Sequence, residues 1–157
     1  MKYAKTDVVF QEVPGEVTLA INISNCPCHC PGCHSKYLWA DEGEELDEAA
    51  IDAFVGEFGT NITCICFMGG DVDPKTVDRL ASYIKKEYTG YKVGWYTGRT
   101  IISSVIDTRN FDYIKVGPYI QHLGALKDRK TNQRMYRVDH EKGTMEDITS
   151  LFWSDKH

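Results

Sequence analysis

The chain has 157 residues and a 42% hydrophobic composition, enough for one real core, and a single domain over residues 1–157 is expected. Against 23 acidic residues stand 18 basic ones, and the formal charge of −5 offers no general field for nucleic acid, which leaves proteins and small molecules as partners. No apolar run approaches the roughly 20 residues that span a bilayer, and the opening MKYAKTDVVF lacks the basic start and apolar block of an export signal, so no membrane partner and a cytoplasmic location are expected.

In chain order, residues 17–23 are rich in β-branched and apolar side chains and read as a strand that runs straight into a cysteine-rich loop. Beyond the loop, Leu46, Ala50, Phe54 and Phe58 recur at helical spacing, with Ile51 and Val55 widening the stripe. Residues 62–68 form a short apolar run stopped by Gly69-Gly70, as a buried parallel strand would be. A second helix follows: Asp73 suits its N-cap, Pro74 its first position, and Val77, Leu80, Ala81 and Ile84 its buried face. Residues 92–96 and 113–116 read as further strands ending at Thr97-Gly98 and Gly117-Pro118, with a short helix expected at 101–106. From Met135 onward, Tyr136-Arg137-Val138 and the turn-like Glu141-Lys142-Gly143 suggest a hairpin or an irregular finish. Alternating strands and helices predict a parallel α/β sheet whose strand ends carry the functional loops on one edge.

Four of the six cysteines fall within the eight residues Cys26-Pro27-Cys28-His29-Cys30-Pro31-Gly32-Cys33. Such crowding strains disulfides and suits thiolates converging on a metal or cluster, which favours a reducing compartment. Cys26, Cys30 and Cys33 give C-x3-C-x2-C, and three thiolates on a 4Fe-4S cubane leave one iron open to another ligand. Two alternatives stay open at this point: Cys28 as a ligand, and a Cys3His zinc site through His29 or His34. Cys64 and Cys66 alternate along a strand and read as small buried hydrophobes on one face.

The spacing after the first strand resembles the radical S-adenosylmethionine superfamily. Cys30-Pro31-Gly32-Cys33-His34, Phe67-Met68-Gly69-Gly70-Asp71, Gly94-Trp95-Tyr96-Thr97-Gly98, and Val116-Gly117-Pro118-Tyr119 followed by Thr131-Asn132-Gln133-Arg134 together look like the anaerobic ribonucleotide reductase activases, with matches spread over residues 17–138. The resemblance implies a glycyl-radical-generating oxidoreductase with one 4Fe-4S cluster on Cys26, Cys30 and Cys33. S-adenosyl-L-methionine would be bound by Gly69, Gly70, Asp71, Thr97 and Gly98. Where many members carry an aromatic residue this chain has Gly32, so the backbone of 32–34 and the His34 ring would take that contact. The implied partners are the reductase large subunit and a flavodoxin- or ferredoxin-type electron donor; the alternatives are an activase of another glycyl-radical enzyme and a non-enzymatic zinc or iron-sulfur protein that binds a partner. The implied fold is a partial (β/α) barrel with a mainly parallel sheet, since so short a chain cannot complete eight units. An acidic run at 41–48 and basic residues between Lys127 and Arg137 are expected to be solvated faces able to steer two partners.

Overall fold

The computed structural model describes residues 1–30, 32 and 36–153, without the side chains of Lys36 and Tyr37. Eight strands form one sheet in the order β3-β1-β2-β4-β5-β6-β7-β8. They are β1 (Lys2–Val9), β2 (Thr18–Ile23), β3 (Glu44–Glu45), β4 (Cys64–Met68), β5 (Lys92–Tyr96), β6 (Tyr113–Val116), β7 (Arg134–Asp139) and β8 (Thr144–Asp147). Two α-helices occur among the described residues, α1 (Glu48–Phe58) and α2 (Pro74–Glu87). None is long and apolar enough to cross a membrane.

This architecture corrects the expected partial (β/α) barrel. Only β2–β4, β4–β5 and β5–β6 pair in parallel, whereas β3–β1, β1–β2, β6–β7 and β7–β8 are antiparallel. Antiparallel neighbours can be joined without crossover helices, so the chain adds strands at both sides of a short parallel centre without adding α-units. The helix expected at 101–106 is also absent. In its place, Asp78 of α2 accepts from the Asp107 N–H at 2.8 Å and the Asn110 amide at 3.0 Å, and the connection needs only one 3-10 turn at Thr108–Asn110. Of the hairpin or irregular finish expected from residue 135, the hairpin forms, as β7 and β8.

Both helices start where a side chain satisfies their first N–H groups. Asp47 accepts from Ala50 N at 2.9 Å; Asp73 accepts from Thr76 N at 3.3 Å and the Thr76 hydroxyl at 2.6 Å, and each cap contributes about 1 kcal/mol. Ile51 and Phe54 of α1 and Val77, Leu80, Ala81 and Ile84 of α2 pack on one sheet face against Leu19, Ile21, Ile65, Phe67, Val93, Trp95 and Ile114. The other face carries a smaller cluster, Val13, Cys64, Cys66, Tyr113, Leu126, Met135 and Ile148, that includes residues from the connections flanking the strands. Cys64 and Cys66 are fully buried there, and burial pushes both thiols up, Cys64 to about 12.

Candidate functional site

The turns after β4, β5 and β6 join one another where the parallel strands end, and the cysteine loop after β2 reaches them there. The loop's mouth is closed by backbone bonds from Asn25 N to Ala40 O at 2.9 Å and from Cys26 N to Leu38 O at 2.8 Å. Asn25 and His29 turn the chain with positive φ of 59° and 44°, a conformation Asn adopts more readily than most residues. The His29 ring, one of the imidazoles weighed for zinc, stacks on Trp39 with centroids 4.4 Å apart. Cys26, Cys28 and Cys30 are half-buried.

After β4 the chain turns on Gly69 and Gly70, with φ of 105° and 93°. Glycine is required at the second position, because a Cβ on Gly70 would stand 2.5 Å from Val77 Cγ2 of α2. The turn is fastened by Gly69 N to Tyr96 O at 2.9 Å and by the Trp95 indole N–H to Gly69 O at 2.7 Å. It presents Asp71, whose Oδ1 accepts the Thr97 hydroxyl while Oδ2 accepts Gly98 N–H at 2.8 Å and the Cys28 S–H at 3.6 Å. One carboxylate therefore links the cysteine loop to the β4 and β5 turns. Burial, with the Asp71 carboxylate beside it, pushes the Cys28 thiol up to about 12.

Lys115, on β6, was not singled out from the sequence. It is 7% exposed; its ammonium donates to Gly117 O at 3.0 Å and lies 5.3 Å from the centroid of the Tyr96 ring. Burial lowers its pKa to about 8 against the pull of the Asp71 carboxylate, so the two opposite charges act on each other across the site. The signal was available: Lys115 interrupts an apolar strand run, Tyr113-Ile114-Lys115-Val116. The turn after β6 is held by Gly117 N to Arg99 O at 2.8 Å, Asn132 to Pro118 O at 3.1 Å and Gln133 to Gly117 O at 3.4 Å, which gives the Thr131-Asn132-Gln133 motif a structural task.

Of the residues expected to bind the ligand, Gly69, Gly70, Asp71, Thr97 and Gly98 form this junction. Gly32 stands against the Gln121 side chain, where a Cβ would come within 2.9 Å of Gln121 Cδ. No sequence pattern marks Gln121. Cys33 and His34 lie outside the described residues. The expected charge faces carry their own counter-charges: Glu48 pairs with Arg79 at 2.9 Å, Arg137 with Glu146 at 2.8 Å and Arg134 with Asp147 at 3.8 Å.

The donor chemistry fits an iron–sulfur cluster. Cys26 and Cys30 offer half-buried sulfur on one loop, whereas Cys64 and Cys66 are sealed in the core. Among the described residues no three His, Cys, Asp or Glu side chains are already placed for a metal ion, and the third sulfur of the spacing, Cys33, is not one of those residues. Comparisons with curated proteins and with solved structures gave no match. Residues 13–136, which hold the cysteine loop and the three turns that meet it, match the family described as 4Fe-4S single cluster domain, and the chain belongs to that iron–sulfur family.

Proposed function

We propose that this protein is the activase of an anaerobic ribonucleotide reductase, cleaving S-adenosylmethionine reductively to methionine and a 5′-deoxyadenosyl radical that takes a hydrogen from a glycine α-carbon of the reductase large subunit. When bound, the cluster supplies the electron, received from a flavodoxin- or ferredoxin-type donor, and one open iron. Cys26, Cys30 and Cys33 would hold it.

The Asp71 bridge carries this reading. A carboxylate offers about four acceptor positions, and the three donors on Asp71 leave room for one more, suited to the ammonium of the ligand's amino-acid end. Lys115 supplies the opposite charge, suited to the ligand's carboxylate. Gly69 and Gly70 let a ligand approach the backbone between them. Thr97 contributes through Asp71, since its oxygen donates to that carboxylate and accepts Arg99 N–H at 3.1 Å.

The test is anaerobic reconstitution, reduction, and measurement of 5′-deoxyadenosine and methionine, followed by electron paramagnetic resonance of a co-expressed reductase. Product and a glycyl radical signal are expected in wild type, and Cys26→Ala or Cys30→Ala should remove both the bound iron and the product. A fully loaded, reduced protein that leaves S-adenosylmethionine intact would sink the reading.

A further inference from the structure

The loop holds one cysteine more than the three-thiolate spacing uses, and that cysteine touches the neighbouring turns. Cys28 Sγ is 3.6 Å from Asp71 Oδ2 and sits over Gly98, where a Cβ would come within 2.7 Å of the sulfur. The other two donors to Asp71, Thr97 and Gly98, both belong to the turn after β5. Among the described residues Cys28 is thus the donor that reaches this carboxylate from the cysteine loop, and Gly98 provides the space for its sulfur.

We infer that Cys28 is a positioning residue and not a cluster ligand: its S–H fixes the Asp71 carboxylate between the cysteine loop and the β5 turn, orienting the remaining acceptor position toward the ammonium of S-adenosylmethionine. The inference rests on the proposed ligand. A thiol is a weak donor, so the expected effect is modest, a three- to tenfold change in affinity, in the range of one neutral hydrogen bond. Because Cys28 acts through the Asp71 carboxylate, losing the thiol together with that charge should cost no more than losing the charge alone.

The experiment compares reconstituted wild type, Cys28→Ala, Cys28→Ser, Asp71→Asn and the Cys28→Ala/Asp71→Asn double variant by iron and sulfide per chain and by anaerobic calorimetry with S-adenosylmethionine. Expected are full iron and sulfide in Cys28→Ala, binding weakened about three- to tenfold, recovery in Cys28→Ser, and a double variant that binds as Asp71→Asn does. Lost iron in Cys28→Ala would make it a ligand and overturn the inference, as would unchanged affinity or additive losses in the double variant. A loaded wild type that binds no S-adenosylmethionine would remove the ligand reading and this inference together. Wild-type binding with no response in Cys28→Ala would remove this inference alone.

Discussion

The two faces of the sheet are built from alternate residues of the same strands and hold different chemistry. Along β4, Ile65 and Phe67 enter the helix-covered core while Cys64, Cys66 and Met68 belong to the opposite face. Along β5 the split is Val93 and Trp95 against Tyr96, and along β6 it is Ile114 and Val116 against Tyr113. The first face is aliphatic and aromatic, packed by two amphipathic helices. The second carries sulfur and hydroxyl groups, and Lys115 rests on the Tyr96 ring. Stability is concentrated on one face and reactivity near the other, and a one-residue slip of any strand would exchange them.

Truncation tests this division most directly. Phe67→Ala opens a cavity in the helix-covered face and should lower unfolding free energy by about 3–5 kcal/mol in denaturant titrations. Cys66→Ala, one residue earlier in the strand, removes one small buried group and should cost about 1 kcal/mol. Equal losses would break the contrast.

A second test uses Asp112, where the helix side is tied to the hairpin. Asp112 accepts from Lys85 of α2, from Val93 N–H at 2.8 Å and from the His140 ring at 2.9 Å. Burial pushes its carboxyl up, but the Lys85 ammonium, the Val93 N–H and His140 outweigh it and hold it below the usual carboxylate range. A depressed folded value gives stability that is complete above the unfolded pKa of about 4 and is lost as pH falls through the lower folded value. Asp112→Asn should therefore cost about 1–3 kcal/mol at pH 7, and the gap to wild type should close on acidification below about pH 4. A gap independent of pH would assign the effect to packing.

The smallest expected change in stability is at Lys115. Burial penalises the Lys115 ammonium more than its neighbours stabilise it, so Lys115→Met relieves that cost while leaving Gly117 O without its donor, and the variant should unfold within about 1 kcal/mol of wild type. Under the proposed function, the same variant should bind S-adenosylmethionine more weakly than wild type. A clear loss of stability would make Lys115 a structural residue and sharpen the contrast differently.

Much of the molecule was legible where a buried face imposed a pattern. β2, β4, β5 and β6 were apolar runs, and both helices announced themselves by an apolar stripe, α2 also by its Asp-Pro start. β1 was not, because its partly buried and exposed residues follow no clean alternation, and nor was β3, two exposed residues long, whereas β8 was signalled by its turn at Glu141-Lys142-Gly143 and not by burial, being exposed throughout. These outer strands make the sheet mixed, and their direction depends on tertiary pairing and not on local composition. At the site, the Gly69-Gly70-Asp71 and Thr97-Gly98 turns could be placed from strand ends, and they do meet. That Asp71 would also bond Cys28 could not be read, because residues 43 positions apart share no periodicity.

Those outer strands also form the two borders of the sheet. At one side the sheet stops after the two glutamates of β3; at the other, β8 presents an exposed edge whose Glu146 and Asp147 face Arg137 and Arg134 of β7. A neighbouring molecule that tried to extend either edge would have to bring its backbone alongside carboxylates, and at β3 it would gain only two residues of ladder. Both borders are therefore poor templates for edge-to-edge growth, which discourages aggregation in crowded solution.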